Sequence, residues 1–127
     1  MLNRVILIGR PTKNPELRYT PDGTPVARFT LAVNRPYRDK QGNSLADFIN
    51  IVAWRKLGEL CAQYLGKGQL AAVEGRLEIR TYDDKQGIRH WITEVIADNV
   101  RFLETARKND TSEDASDEKD DEEPLPF

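Results

Sequence analysis

The chain has 127 residues and a net charge of −2, with 19 basic and 21 acidic side chains, one cysteine and one histidine. That length fits one domain, the lone Cys61 excludes an internal disulfide, and a single His90 leaves no cluster for structural zinc. No apolar run approaches the roughly 18 residues of a membrane span, and MLNRVILIGRP lacks the small-residue cleavage site of a signal peptide, so the expectation is a cytoplasmic chain.

The charge is polarised along the sequence. Residues 108–127 hold nine acids against two lysines, whereas residues 1–107 hold 17 bases against 12 acids. Only Ala115, Leu125 and Phe127 are apolar among the last twenty residues, too few for burial to offset chain entropy. The reading is a folded basic domain over 1–107 and a disordered acidic tail over 108–127.

The first predicted element is a strand over Asn3 to Arg10, whose consecutive Val5, Ile6, Leu7 and Ile8 imply cover on both faces. A proline-rich connection follows, with an extended piece around Leu17 to Tyr19 and a Pro21-Asp22-Gly23 turn. From Val26 to Asn34, Ala27, Phe29, Leu31 and Val33 share one face, and Arg28, Thr30 and Asn34 the other. RPYRDKQGNS reads as a polar hairpin tip that turns at Gln41-Gly42-Asn43. The strand Asp47 to Trp54 then places Ile49, Ile51 and Ala53 inward, and Phe48, Asn50, Val52 and Trp54 outward.

The period changes at Arg55. Leu57, Leu60, Cys61, Tyr64 and Leu65 recur at helical spacing up to a Gly66-Lys67-Gly68 stop. The strand Gln69 to Tyr82 points Ala71, Val73, Leu77 and Ile79 inward and Arg76, Arg80 and Tyr82 outward, with a bend at Gly75. Asp83 to Gly87 turns the chain into a last strand, Ile88 to Leu103. Five strands with one helix between the third and fourth is the order of an all-β OB-fold, a five-stranded Greek-key barrel; an open sheet packed on one helix would give a similar string.

Tyr37, Phe48, Trp54 and Tyr82 are outward rings set among cations. Bases of single-stranded nucleic acid offer exposed π-faces that stack on such rings at about 1–3 kcal/mol each, whatever the sequence, while Lys and Arg neutralise phosphates. Packing against a neighbour or a second subunit is the alternative use of such rings. Trp91 alternates with Thr93, Val95 and Ala97 and reads as structural, His90 as a surface or interface side chain, and Cys61 as a small buried hydrophobe. No nucleophile has a base and an orienting partner, Asp83-Asp84 reads as turn chemistry rather than a metal pair, and LGKGQ lacks Walker spacing. Neither catalysis, a cofactor nor a metal is expected. The terminal DDEEPLPF, with Asp120, Asp121, Glu122 and Glu123 before Pro124, Leu125, Pro126 and Phe127, reads as a hook for a basic-rimmed apolar pocket on a partner.

NRVILIGRPTKNPELRYTPDGTPVARFTLAVNR, FINIVAWRKLGELCAQYLGKG, VEGRLEIRTYDDKQG and ITEVIADNVRFLE, read in order and closed by an acidic tail ending in Pro-Phe, resemble the bacterial single-stranded DNA-binding proteins. The resemblance covers about Leu2 to Glu104 plus the tip. It implies an OB-fold homotetramer that wraps and protects single-stranded DNA and recruits replication, recombination and repair enzymes through its tip. The family's stacking aromatics fall on Tyr37, Phe48, Trp54 and Tyr82. Its basic contacts fall on Arg38, Lys40, Lys56, Lys67 and Arg80, to which alternation adds Arg76. Where such proteins often carry Trp, this chain has Tyr37, Phe48 and Tyr82, so fluorescence quenching by DNA is expected to rest on Trp54. A primosomal relative, a scaffold whose tail mimics nucleic acid, and a nuclease are the competing readings, separable by gel shift with and without magnesium.

Overall fold

The computed structural model describes residues 1–104; the tail and its tip, Asp120 to Phe127, lie outside the described residues. In chain order the elements are β1 (Val5–Pro11), β2 (Glu16–Tyr19), β3 (Pro25–Arg38), β4 (Ser44–Trp54), α1 (Arg55–Tyr64), β5 (Ala71–Asp83) and β6 (Arg89–Phe102). The sheet runs β1-β5-β6-β4-β3-β2, and β1 also pairs with β3 through Arg10↔Ala32 and Pro11↔Leu31. That extra pairing closes β1, β5, β6, β4 and β3 into a five-stranded barrel, the expected OB-fold, with β2 added outside the ring. All neighbours are antiparallel except β4 and β6, which run parallel from Asn50↔Glu94 to Ala53↔Ala97.

The inward residues of the alternating strands make the core: Ala27, Phe29 and Leu31 from β3, Ile51 and Ala53 from β4, Ala71 and Val73 from β5, and Val95 and Ala97 from β6. Helix α1 adds Cys61, and Leu65 follows at its C-terminal cap. Burial pushes the Cys61 thiol up to about 12, which keeps it a neutral hydrophobe. Among the described residues no helix is long and apolar enough to cross a membrane.

Five expectations are corrected, most of them because strand pairing outlasts the barrel. Leu77 and Ile79, read as inward, are exposed. Adding a Cβ at Gly75 would bring it to 2.1 Å from the Ile96 carbonyl oxygen, and the β5–β6 register slips there, from Glu74↔Asn99 to Gly75↔Ala97. Beyond this bulge β5 leaves β1, and from Ile79↔Thr93 outward, past the end of the β4–β6 ladder at Glu94, β5 and β6 run on as a two-stranded arm. The polar hairpin tip expected over residues 35–44 is half strand: β3 reaches Arg38, β4 starts at Ser44, and a register shift between Asn34 and Arg38 bulges the intervening residues, leaving the turn at 39–43. Trp91 pairs with Thr81 far out on the β5–β6 arm and is exposed rather than structural within this chain. Ile6 is exposed because no other element covers the outer face of β1 at that point. Val52, read as outward, is buried all the same, for reasons that belong to the outer wall.

Candidate nucleic-acid interface

Strand register puts most of the nominated residues on one surface. On β4, Phe48, Asn50, Val52 and Trp54 alternate outward, opposite Ala32, Thr30, Arg28 and Val26 of β3. Asn50 and Val52 also lie beside Glu94 and Ile96 of β6, and β6 pairs Ile96↔Arg76, Glu94↔Glu78, Ile92↔Arg80 and His90↔Tyr82 with β5. Partners across a ladder share a face. One outer wall therefore carries Phe48, Trp54 and Tyr82 together with Arg28, Arg76 and Arg80, while Tyr37 lies on the β3–β4 arm within the register shift between Asn34 and Arg38, beside Arg35.

The four rings are accessible, at 56% for Tyr37, 67% for Phe48, 39% for Trp54 and 46% for Tyr82. Trp54 ends β4 and caps α1 without a side-chain hydrogen bond. Arg55, the first helical residue, has φ 59°, a left-handed conformation that costs a non-glycine residue roughly 1 kcal/mol. The strand turns into the helix there.

The middle of the wall is held by a carboxylate that sequence reasoning missed. Glu94 is only 5% exposed, and its Oε2 accepts from Arg28 Nη1 at 2.8 Å while Arg80 Nε and Nη2 lie 3.3 Å from Oε1 and Oε2. Desolvation pushes the Glu94 carboxyl up, but hydrogen bonds from Arg80 and Arg28 and their charges outweigh it, leaving the group below the ordinary glutamate value. A groove of about 270 Å³ runs past this cluster, lined by Lys13, Asn14, Arg28, Thr30, Asn50 and Val52 among others. Val52, at 1% exposure, sits on this face between its ladder partners Arg28 and Ile96. Alternation places Glu94 outward and so predicts a solvated side chain; the arginines that bury it come from β3 and β5, 66 and 14 residues away.

The nominated cations are not equivalent. Arg76 pairs with Glu78 at 3.1 Å and Arg80 with Glu94. Arg38 donates instead to neutral acceptors, the Gly42 carbonyl at 3.0 Å and Ser44 Oγ at 3.1 Å. Lys40 sits in the turn of the same arm and Lys56 in the first turn of α1, two residues past Trp54. The Lys67 backbone N–H donates to Asn14 Oδ1 at 2.8 Å, which ties the loop after α1 to one end of the groove.

The two arms end in the same sequence, Asp39-Lys40-Gln41-Gly42 and Asp84-Lys85-Gln86-Gly87. In each, the aspartate Oδ1 accepts two backbone N–H groups, from Gln41 and Asn43 in one turn and from Gln86 and Ile88 in the other. Gly42 and Gly87 have φ of 84° and 80°, a conformation glycine adopts without steric cost.

Residues 2–103 match the family model described as Single-strand binding protein family. The chain is 62% identical over 104 residues to the single-stranded DNA-binding protein of Caldanaerobacter subterraneus subsp. tengcongensis, a match covering 82% of this chain and 69% of that protein. It is 60% identical over 104 residues to the single-stranded DNA-binding protein of Halalkalibacterium halodurans, covering 82% of this chain and 62% of the relative, so that part of the longer protein lies outside the match. Single-stranded DNA-binding protein 1 of Staphylococcus aureus is 54% identical over 114 residues, 90% of this chain and 73% of that protein.

Proposed function

This chain belongs to the single-strand binding protein family, and from that premise we propose that it binds single-stranded DNA without sequence preference, stacking bases on Tyr37, Phe48, Trp54 and Tyr82. The observation that carries this reading is the strand register, which aligns Phe48, Trp54 and Tyr82 with Arg28, Arg76 and Arg80 on one exposed wall. Rings at separate stations along a wall suit a flexible single strand, whose bases are free to turn outward, whereas a duplex keeps its bases stacked inside. Arg38, Lys40, Lys56, Lys67, Arg76 and Arg80 are the phosphate contacts in this reading, with Lys13 and Arg28 added from the groove. Each phosphate neutralised steepens the salt dependence by about 0.7 in log–log slope. The role is one of binding and protection, without a catalytic step.

The assembly in this proposal is a homotetramer, supported by apolar surface that a single chain leaves open: Ile6 on β1, Leu77 on β5, and Ile79 and Trp91 on the β5–β6 arm. The tip Asp120 to Phe127 recruits replication and repair proteins in the same proposal, on the strength of its sequence, with 1–107 as the DNA-binding and assembly domain and the cytoplasm, at the nucleoid, as its place. Sedimentation tests the oligomer.

Binding of oligo-dT followed by tryptophan fluorescence tests the site. The quench survives in Trp91→Phe and is lost in Trp54→Phe, and Trp54→Ala weakens binding by about 1–3 kcal/mol. Affinity unchanged in Trp54→Ala, or equal affinity for duplex and single strands, refutes the stacking assignment.

A further inference from the structure

The two arm tyrosines are each backed by a nitrogenous side chain that an aspartate holds in place, and the two backings differ in chemistry. Beside Tyr37, Arg35 donates to the phenolic oxygen at 3.2 Å, its guanidinium carbon lies 6.0 Å from the ring centroid, and Asp47 grips it through Nε and Nη2 at 2.7–3.1 Å. On the other arm the His90 ring stacks on Tyr82, with centroids 5.0 Å apart and planes 18° from parallel, and His90 Nε2 lies 2.8 Å from Asp84 Oδ2. The same aspartate caps the turn through its other oxygen. An arginine keeps its charge at every physiological pH, whereas imidazole changes charge between about pH 5 and 8.

We propose that His90 is a positioning residue for Tyr82 and a proton-dependent cation of the DNA track, so that strand binding at this arm takes up a proton. The inference rests on Tyr82 stacking a base, as proposed above. With one face of the Tyr82 ring covered by imidazole, a base has the opposite face to stack on, and the ring is held at the angle the Asp84–His90 pair dictates. The β4–β6 ladder begins at Glu94 and β1 pairs with β5 only up to Gly75, so the groups facing His90 come from the hairpin itself. Tyr82 and, one step in along β5, Arg80 share the face of His90, Asp84 bonds its Nε2, Lys85 lies in the turn, and the Asp83–Arg89 pair at 3.4 Å sits on the opposite face of the hairpin. The charges of Asp83, Asp84, Lys85 and Arg89 cancel, so the tip is neutral with His90 neutral and carries +1 when His90 is protonated. Phosphates favour the second state, and by linkage DNA in turn favours the proton.

The chain's one histidine makes the test direct, because its ring protons give a single set of NMR signals. Saturating oligo-dT raises the midpoint of the His90 titration by about 0.7 pH at 0.1 M salt, the counterpart of about fivefold tighter binding once the imidazole is charged, as expected for one more neutralised phosphate. The affinity of His90→Gln is flat from pH 5.5 to 7.5. A midpoint that DNA leaves unmoved overturns the inference. Tyr82→Ala separates the failures: if it weakens binding while the midpoint stays fixed, only the role of His90 falls, and if it binds like wild type, the stacking role of Tyr82 falls with it.

Discussion

The closed barrel and the two hairpin arms are built from the same strands, β3, β4, β5 and β6, with the same alternation of apolar and polar residues, yet they use that alternation in opposite ways. Inside the ring it seals Leu31, Ile51, Val73 and Val95 beneath the wall. Past Gly75 on β5 the same period leaves Leu77 and Ile79 open to solvent, with Trp91 exposed across the ladder. Burial is a property of where the ring closes, and the arms carry side chains available to something other than this chain's own core.

The largest expected effect sets core against arm. Leu31→Ala removes a fully buried side chain and costs about 2–5 kcal/mol of stability, whereas Ile79→Ala, at the same phase of the alternation but on the arm, changes it by less than about 0.5 kcal/mol when the arm is free. Chemical denaturation of both variants at several protein concentrations checks this; an Ile79→Ala loss that grows with concentration means that the arm is buried against another copy.

A smaller effect falls where wall and arm meet, at Glu94, which ties Arg28 of the wall to Arg80 of the arm. Glu94→Gln leaves two arginines without their shared carboxylate and destabilises by about 1–3 kcal/mol. Because the folded protein holds this carboxyl below its ordinary value of 4.5, its stabilisation is complete above that value and is lost as pH falls toward the folded value. Melting temperatures of wild type and Glu94→Gln therefore keep their separation down to about pH 4.5 and converge below it, and parallel curves throughout would show that the cluster contributes no acid-sensitive stability. The smallest effect belongs to the strand-to-helix corner. Arg55→Gly relieves the left-handed strain at φ 59° and changes stability by under about 1 kcal/mol in the stabilising direction, as read by the denaturation midpoint.

Much of this was legible in the linear chain because it depends on local periods. The inward sets of β3 and β4, the helix with Cys61 inside, the turn glycines, the bend at Gly75 and the outward rings at 48, 54 and 82 all follow from spacings of two or 3.6 residues and from the conformational freedom of glycine. The matched DKQG turns were equally readable as a repeat of four residues, although too short to register as a structural unit.

Other features required the strands to be assembled. That Leu77, Ile79 and Trp91 stay exposed, that Val52 and Glu94 are covered on an outward face, and that His90 lies flat on Tyr82 are outcomes of register between segments up to 66 residues apart. Alternation states which residues share a face; it carries no information on whether another part of the chain lies over that face. The sequence by itself thus determined the barrel's strands, its core side and its ring-bearing side, while only the closed tertiary structure decided where the core ends, because closure is a contact between β1 and β3 that no local period encodes.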